Sequence, residues 1–190
     1  SDLLSDHLKD FSNVVVVHDI RIETKTMSET LLRIFPNVKL QPSDFISIAL
    51  PDTVYLGVKM ERVYKALFNC EASLFLTTFS IRSSQLGKLG QVDIGADGKV
   101  IDIKDKTVGC PYPRIWGIAS FKPEYIQEIR ETDAHIGITF ERLLHSGNEI
   151  SSVESEAKYF DCGTLSEYRE FLNEIVSHTI LTHFLIWVWR

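Results

Sequence analysis

The apolar residues of this chain alternate between the spacing of buried strands and the spacing of amphipathic helices. Short runs typical of buried strands occur at 14–19 (VVVVHD), 45–50 (FISIAL) and 72–81 (ASLFLTTFSI). Between the last two, the apolar residues of 59–68 recur every three or four positions and form one helical face. Strands and helices that alternate in this way predict a layered α/β fold.

The second half of the chain adds strands of a different kind. Residues 90–103 (GQVDIGADGKVIDI) alternate apolar and polar positions around Asp97-Gly98, which is a strong β-hairpin signal. Further strands are predicted at 114–121 (RIWGIASF) and up to the end of 158–163 (KYFDCG). The sheet is therefore expected to be mixed, with buried strands early in the chain and a hairpin later.

Two capping boxes mark the starts of helices. In each, a threonine is followed three residues later by a glutamate: Thr26 with Glu29, and Thr164 with Glu167. The first helix is predicted to end before Pro36, because the residue preceding a proline disfavours helical backbone.

Together these signals predict one three-layer, Rossmann-like domain over residues 1–179, followed by a hydrophobic tail at 180–190 (ILTHFLIWVWR). The tail is too short to cross a bilayer, which takes roughly 20 apolar residues, so no membrane partner is expected. Its large apolar side chains would be unfavourable in water. Either the tail packs on its own domain, or it forms a subunit interface, or it is a non-native extension. We predict the interface, in a homodimer.

Composition excludes some classes of function. The net charge of -6 argues against a nucleic-acid partner, because phosphate backbones bind basic surfaces. The three cysteines are odd in number and far apart, which predicts neither a disulfide framework nor a zinc site. The acidic, mixed residues SDLLSDHLKDF are not expected to be a signal peptide. A cytoplasmic protein is therefore predicted.

Two aspartates stand directly after predicted strands. Asp52 follows IALP, and Asp161 follows KYF. Ligands of open α/β sheets gather beyond the carboxyl ends of strands, where two carboxylates can hold Mg²⁺ against substrate phosphates. Both residues also have ordinary explanations, because aspartate is common in turns and at helix starts.

Four segments in order resemble the sugar-1-phosphate nucleotidyltransferases, the family of the glucose-1-phosphate thymidylyltransferases. They are IALPDT, KLGQVDIGADGKVIDIKDK, WGIASFKP and YFDCGTLSEY, and the resemblance covers about residues 13–175. It implies the mixed sheet of a nucleotide-diphospho-sugar transferase, Mg²⁺ as cofactor, and a sugar 1-phosphate or nucleotide sugar as ligand.

The resemblance also implies roles for individual residues. Asp52 and Asp161 correspond to the magnesium ligands, Lys106 to a lysine that contacts the sugar 1-phosphate, and Asp105 to a neighbouring glutamate. A solvated charge in the run KDK is the other interpretation of Lys106.

Two glycines are implied to lie in the binding site. Gly90 would let its backbone approach a sugar hydroxyl, since it has no side chain, and Gly117 would do the same beside Trp116. Gly90 is equally explained as a glycine that starts a strand.

The chain departs from the family pattern in three places. Family members begin with a strand and a glycine-rich loop that holds the triphosphate, whereas the first glycine here is Gly57. Gly137 and Phe140 replace an acidic pair, and Lys25-Thr26 stands where the base-binding loop carries glycine. An N-terminally incomplete fold with an unpaired sheet edge is therefore expected.

These patterns lead to one main hypothesis and several alternatives. The main one is a nucleotidyltransferase-like protein that is catalytically incomplete but keeps a sugar-phosphate and Mg²⁺ site. A half-enzyme complemented by a partner chain is the second, and an interaction module that kept the fold and lost the site is the third. A glycosyltransferase with the same sheet is a weaker fourth.

Overall fold

The strand Arg114–Phe121 lies inside the main sheet and pairs with three other strands. The computed structural model describes residues 23–57, 60–69 and 72–187. In these ranges the strands are β1 (Ile46–Ala49), β2 (Thr53–Leu56), β3 (Leu74–Ser80), β4 (Gly90–Ile94), β5 (Val100–Asp105), β6 (Arg114–Phe121), β7 (Ser151–Ser155) and β8 (Lys158–Asp161). The α-helices are α1 (Met27–Ile34), α2 (Met60–Phe68), α3 (Ile136–His145) and α4 (Leu165–Trp187).

The main sheet has the order β5-β4-β6-β3-β7, and β1 also pairs with β6. The pair β3–β7 is parallel and the other pairs are antiparallel. A separate antiparallel pair is formed by β2 and β8. The predicted mixed α/β sheet is therefore confirmed.

Among the described residues, apolar side chains of the sheet pack into two clusters, each with different helices or strands. In one, buried residues of β3, β5 and β6 pack with α3 and with partly buried residues of α1. The other joins Phe79 and Ile115 of the sheet to Tyr159 of β8 and to Tyr55 of β2. Helix α1 and the β2–β8 pair thus bring distant parts of the chain to the same sheet.

Both threonines cap their helices as predicted, but the glutamate carboxylates bond to Lys25 N and to the Thr164 hydroxyl, where a full capping box uses the N–H of the threonine. The Thr26 hydroxyl accepts a hydrogen bond from Glu29 N at 3.0 Å, and the Glu29 carboxylate accepts one from Lys25 N at 2.8 Å. At the second box the Thr164 hydroxyl donates to the Glu167 carboxylate at 2.8 Å and accepts from Glu167 N at 3.3 Å. These bonds satisfy backbone donors that have no partner inside the helix.

One residue of β6 has no partner in the ladder with β3. Thr77 pairs with Ile118 and Thr78 pairs with Trp116, so Gly117 is the extra residue of a β-bulge. A bulge shifts the alternation of side chains by one position. Trp116 consequently lies in the same apolar cluster as Ala119 and Phe121 of its own strand.

Several predictions differ from the structure. The strands β2 and β7 were not predicted, because each has only four or five residues and depends on a partner distant in sequence. The strand at 46–49 was predicted to be buried but alternates half-buried and exposed residues. Among the described strands, only β6 pairs with it, so its other side has no strand neighbour.

The ends of the chain leave some predictions open. The predicted strand at 14–19 lies outside the described residues. The backbone of 180–187 continues helix α4, and 188–190 lie outside the described residues. The division into a domain and a tail at residue 179 stays a prediction. In the described ranges, no helix has the length and apolar character needed to span a membrane.

Candidate functional site

A cleft of about 330 Å³ opens where the loop after β1, the start of β4, the end of β5 and the end of β8 meet. Five of the six predicted site residues line it: Asp52, Gly90, Asp105, Lys106 and Asp161. These residues come from parts of the chain up to 109 positions apart (from 52 to 161). The remaining lining residues are Met27, Leu50, Pro51, Leu89, Trp116, His135 and Tyr159.

The two aspartates are brought together by the β2–β8 pair. Thr53, which follows Asp52, is the register partner of Asp161, and Cys162 N donates to the Asp52 carbonyl at 2.7 Å. Asp161 Oδ1 and Asp52 Oδ2 each lie 3.1 Å from the point that a Cβ on Gly163 would occupy. The predicted proximity of the two carboxylates is therefore observed, and Gly163 leaves open the space between them.

Few nearby groups neutralise the negative charge of the two carboxylates. Gly163 N donates to Asp161 Oδ1 at 3.1 Å, but neither aspartate forms an ion pair with a described lysine or arginine. Burial, together with the charges of both aspartates, raises the pKa of Tyr159 to about 12. Burial likewise raises the pKa of the Cys162 thiol, and the charges of Asp161 and Asp52 add to the effect. The corner is thus negative and suited to a cation.

The carboxylate oxygens of Asp52 and Asp161 suit Mg²⁺ better than a metal ion whose ligands all come from the protein. Over the described ranges, no group of three or more histidine, cysteine, aspartate or glutamate side chains could hold a metal ion. Magnesium is commonly bound by one or two carboxylates, with waters and substrate phosphates as the other ligands. The pair Asp52 and Asp161 matches that pattern.

Lys106 and His135 lie on another side of the cleft. Lys106 Nζ is 3.1 Å from His135 Nε2, and His135 is the N-cap residue of α3. The backbone of Lys106 has φ +48°, the only positive φ of a non-glycine residue in the described ranges. A lysine in left-handed backbone is strained, and such strain clusters at functional sites. This side of the cleft combines a cation, an imidazole and a helix N-terminus, which favour a phosphate.

Asp105 is placed beside this positive group. Burial raises the pKa of Asp105, while the charges of His135 and Lys106 act in the opposite direction. Its Oδ1 lies 3.0 Å from the point where a Cβ on Gly137 would stand. Gly137, which replaces an acidic residue of the family pattern, therefore leaves room for the Asp105 carboxylate.

Trp116 closes the cleft beside Gly90. A Cβ on Gly90 would overlap Trp116 Nε1 and stand 2.8 Å from Cδ1. The indole ring therefore fills the space left by the missing side chain of Gly90, which was predicted to admit a sugar hydroxyl. Sequence reasoning did not assign Trp116 to the site, because a tryptophan in the run RIWGIASF is equally typical of a buried strand.

Gly117 is not brought to the cleft. A Cβ on Gly117 would stand 2.6 Å from the Tyr159 ring and 2.7 Å from the Phe79 ring. The Gly117 carbonyl, at the bulge, accepts a hydrogen bond from the Tyr55 hydroxyl at 2.8 Å. Aromatic packing and the bulge therefore account for this glycine.

Solved structures with the same architecture cover most of the chain. A protein described as a glucose-1-phosphate thymidylyltransferase from Bacillus anthracis, solved with sucrose, superposes with a TM-score of 0.69 at 15% identity. A UDP-glucose pyrophosphorylase complexed with UDP-glucose gives 0.68 at 13% identity, and the inositol-1-phosphate CTP transferase from T. maritima gives 0.66 at 15%. The chain has the fold of the sugar-phosphate nucleotidyltransferases.

The superpositions with these nucleotidyltransferases cover most of each chain, although the sequence identity is low. They include 88%, 94% and 87% of this chain, and 70%, 74% and 67% of the three neighbours in the same order. No model of a known protein family matches the sequence, and no curated protein matches it. The predicted resemblance is therefore confirmed at the level of the fold.

Proposed function

We propose that the cleft binds a sugar 1-phosphate or a nucleotide sugar together with Mg²⁺, and that the 190-residue chain alone is catalytically incomplete. One observation supports this most: five residues chosen by resemblance, and distant in sequence, line a single cleft. Folds are shared by unrelated activities, so the chemistry of the site has to carry the proposal.

The magnesium side of the proposal depends on Asp52 and Asp161. Their oxygens converge on the space next to Gly163 and have no described cation beside them. Magnesium there would neutralise the carboxylates and the phosphates of a bound ligand. Without the ion, the two carboxylates would repel a phosphate.

The phosphate side depends on Lys106 and His135. The lysine ammonium and the N-terminus of α3 offer positive charge and donors, and the imidazole adds one further donor. The cleft thus has an anionic corner for the metal and a cationic corner for the phosphate. A ligand that carries both phosphate oxygens and a bound Mg²⁺ satisfies both.

Catalytic incompleteness follows from the charges that transfer requires. In a nucleotidyl transfer the phosphates gain charge in the transition state, and positioned cations and backbone N–H groups stabilise it. The 190 residues contain no glycine before Gly57 and hence no glycine-rich loop ahead of β1. Lys106 alone cannot supply that stabilisation for a triphosphate.

The proposal is tested by calorimetric titration with glucose, galactose and mannose 1-phosphates in MgCl₂, using the wild type, Lys106→Ala and Lys99→Ala. Lys99 pairs with Glu149 away from the cleft and serves as the control. We expect weak binding by the wild type and the control, and loss of binding in Lys106→Ala. No binding of any sugar phosphate by the wild type would overturn the proposal.

A second assay tests the missing activity. With MgCl₂, a nucleoside triphosphate and the same sugar phosphates, the chain is expected to release little or no pyrophosphate. Rapid, sustained pyrophosphate release by this chain alone would show that it is catalytically complete.

A half-enzyme complemented by a partner chain is the second candidate. The observation that favours it is the side of β1 that has no neighbour among the described strands, since an unpaired edge invites another strand. An interaction module without a site and a glycosyltransferase remain weaker alternatives, and only the former predicts no ligand binding at all.

We also propose a homodimer in which the residues of 180–190 take part, and a cytoplasmic location. The composition of ILTHFLIWVWR supports the interface, because large apolar side chains are stabilised by burial. Light scattering of the full chain and of a chain ending at Ser177 tests it. A dimer that becomes a monomer on truncation supports the proposal, and a full-length monomer at micromolar concentration contradicts it.

A further inference from the structure

The indole N–H of Trp116 is a buried donor without an acceptor. The residue is 8% exposed, and Nε1 has no hydrogen-bond partner. Buried polar groups in folded proteins are nearly always paired, so an exception calls for an explanation. A ring that only filled space could be phenylalanine, which leaves no donor unsatisfied.

The ring is held in this place by three glycines. Its Nε1 edge lies against Gly90, and its Cζ2 lies 3.0 Å from the point where a Cβ on Gly137 would stand. The bulge at Gly117 sets the side of β6 on which Trp116 projects. A side chain at Gly90 or Gly137 would collide with the indole, so the chain is built around this orientation.

The N–H is unpaired although an acidic group lies near the same edge of the ring. The Asp105 carboxylate lies at the Gly137 end of the ring, where it approaches the same point as Cζ2. Nε1 is bonded to the same ring carbon, Cε2, as Cζ2, and it lies against Gly90; both Gly90 and Trp116 line the cleft. The unpaired donor therefore borders the cleft, on the edge of the ring that also faces Asp105.

We infer that Trp116 Nε1–H donates a hydrogen bond to an uncharged oxygen of the ligand, and that this bond makes Trp116 a specificity-determining residue of the cleft. The inference rests on the proposed function, in which Lys106 and His135 hold the phosphate. An uncharged hydroxyl or ring oxygen suits this position better than a phosphate, because the Asp105 carboxylate lies near the same edge of the ring and repels anions.

The donor has to become reachable when the ligand binds. Nε1 is shielded from water in the described structure, so a small rotation of the indole must accompany binding. Such a rotation changes the surroundings of the ring. The emission of Trp116 and the resonance of its N–H are therefore expected to report the ligand directly.

The test compares sugar 1-phosphates with inorganic phosphate. In the Trp187→Phe, Trp189→Phe background Trp116 is the remaining tryptophan, because the chain has three. We expect glucose, galactose or mannose 1-phosphate in MgCl₂ to shift its emission. Trp116→Phe should weaken binding of that sugar phosphate by about 3- to 10-fold, which is typical of one uncharged hydrogen bond, and leave the affinity for inorganic phosphate within about twofold.

Two further measurements separate the possible failures. Lys106→Ala should weaken sugar phosphate and inorganic phosphate alike, because it removes the charge and not the donor. In ¹⁵N-tryptophan-labelled wild type, the Trp116 N–H resonance should move when the protein is saturated with the sugar phosphate. This measurement uses only the wild type, so it does not depend on whether a variant folds. Binding with an unmoved resonance, or equal affinities for wild type and Trp116→Phe, would overturn the inference alone. No sugar-phosphate binding by wild type would overturn the proposed function and the inference together.

Discussion

Asp52 and Asp161 direct their carboxylates to one point, 3.1 Å from each, where Gly163 has no side chain. The strand pair β2–β8 creates this geometry, because it places the residue after Asp52 opposite Asp161. A pair of like charges held this close is unfavourable unless a cation joins it. The first prediction concerns that cation.

Asp161→Asn is expected to lower the affinity for Mg²⁺, measured by calorimetry, by at least about tenfold, because one of two anionic ligands is lost. Without metal, the same variant should melt at an equal or higher temperature than the wild type, since the repulsion between the carboxylates is removed. The control is Glu156→Gln, an exposed residue outside the cleft. Unchanged Mg²⁺ affinity in Asp161→Asn would show that the pair is not the metal site.

The strained backbone of Lys106 leads to a second prediction. Lys106→Gly should raise the free energy of unfolding by about 1 kcal/mol, because φ +48° is unfavourable for residues with a Cβ. Lys106→Ala should not, since alanine keeps the Cβ. Both should lose affinity for sugar phosphates. Urea denaturation measures the first effect, and equal stability of the two variants would show that the backbone is not strained.

The Gly117 bulge leads to a third prediction. Gly117→Ala should lower the free energy of unfolding by about 1–3 kcal/mol, because its Cβ would stand within 2.7 Å of two packed rings, those of Tyr159 and Phe79. The bond from Tyr55 to the Gly117 carbonyl would be disturbed as well. Thermal melting and urea denaturation check this expectation. A variant as stable as the wild type would mean that the rings move aside freely.

A fourth prediction concerns pH and Asp102 of β5. Burial acts to raise its pKa, but hydrogen bonds from Tyr112 at 2.6 Å, from His145 at 3.1 Å, from Ile103 N and from Lys104 lower it to about 2. A carboxyl group whose pKa is lowered by folding stabilises the protein above its ordinary pKa of 3.8. That stabilisation is lost as the pH falls from about 4 towards 2.

The comparison of wild type with Asp102→Asn isolates this effect. The wild type should be the more stable protein at pH 7, and the difference in the free energy of unfolding should shrink as the pH falls from about 4 to 2. Urea denaturation across that range provides the measurement. A difference that stays constant with pH would exclude the ionised carboxylate as its cause.

Local signals in the sequence predicted much of the fold and part of the site. The capping threonines, Thr26 and Thr164, and the hairpin at Asp97-Gly98 act through neighbouring residues, so their effects can be inferred from short segments. The strand β2 depends on pairing with β8, about a hundred residues away, and no short segment carries that information.

The residues of the cleft also divide into those that the sequence predicts and those that it does not. Asp52, Asp105, Lys106 and Asp161 could be chosen because their segments follow a known order along the chain. The place of Trp116 could not, since it depends on a bulge that appears only when β6 pairs with β3. The run RIWGIASF reads as a regular strand, and regular alternation would have assigned Trp116 to the opposite face.

The extra residue Gly117 divides β6 into two segments that contact different parts of the protein. Residues beyond it, such as Ala119 and Phe121, hold the sheet to its helices, while Trp116 before it contributes to the cleft wall. Because Gly117 is the extra residue, a chain without it would still pair Thr77 with Ile118 and Thr78 with Trp116, so that the indole keeps its side of the strand. A single codon deletion would therefore remove the carbonyl that holds the Tyr55 hydroxyl and leave both halves of the strand in their present register.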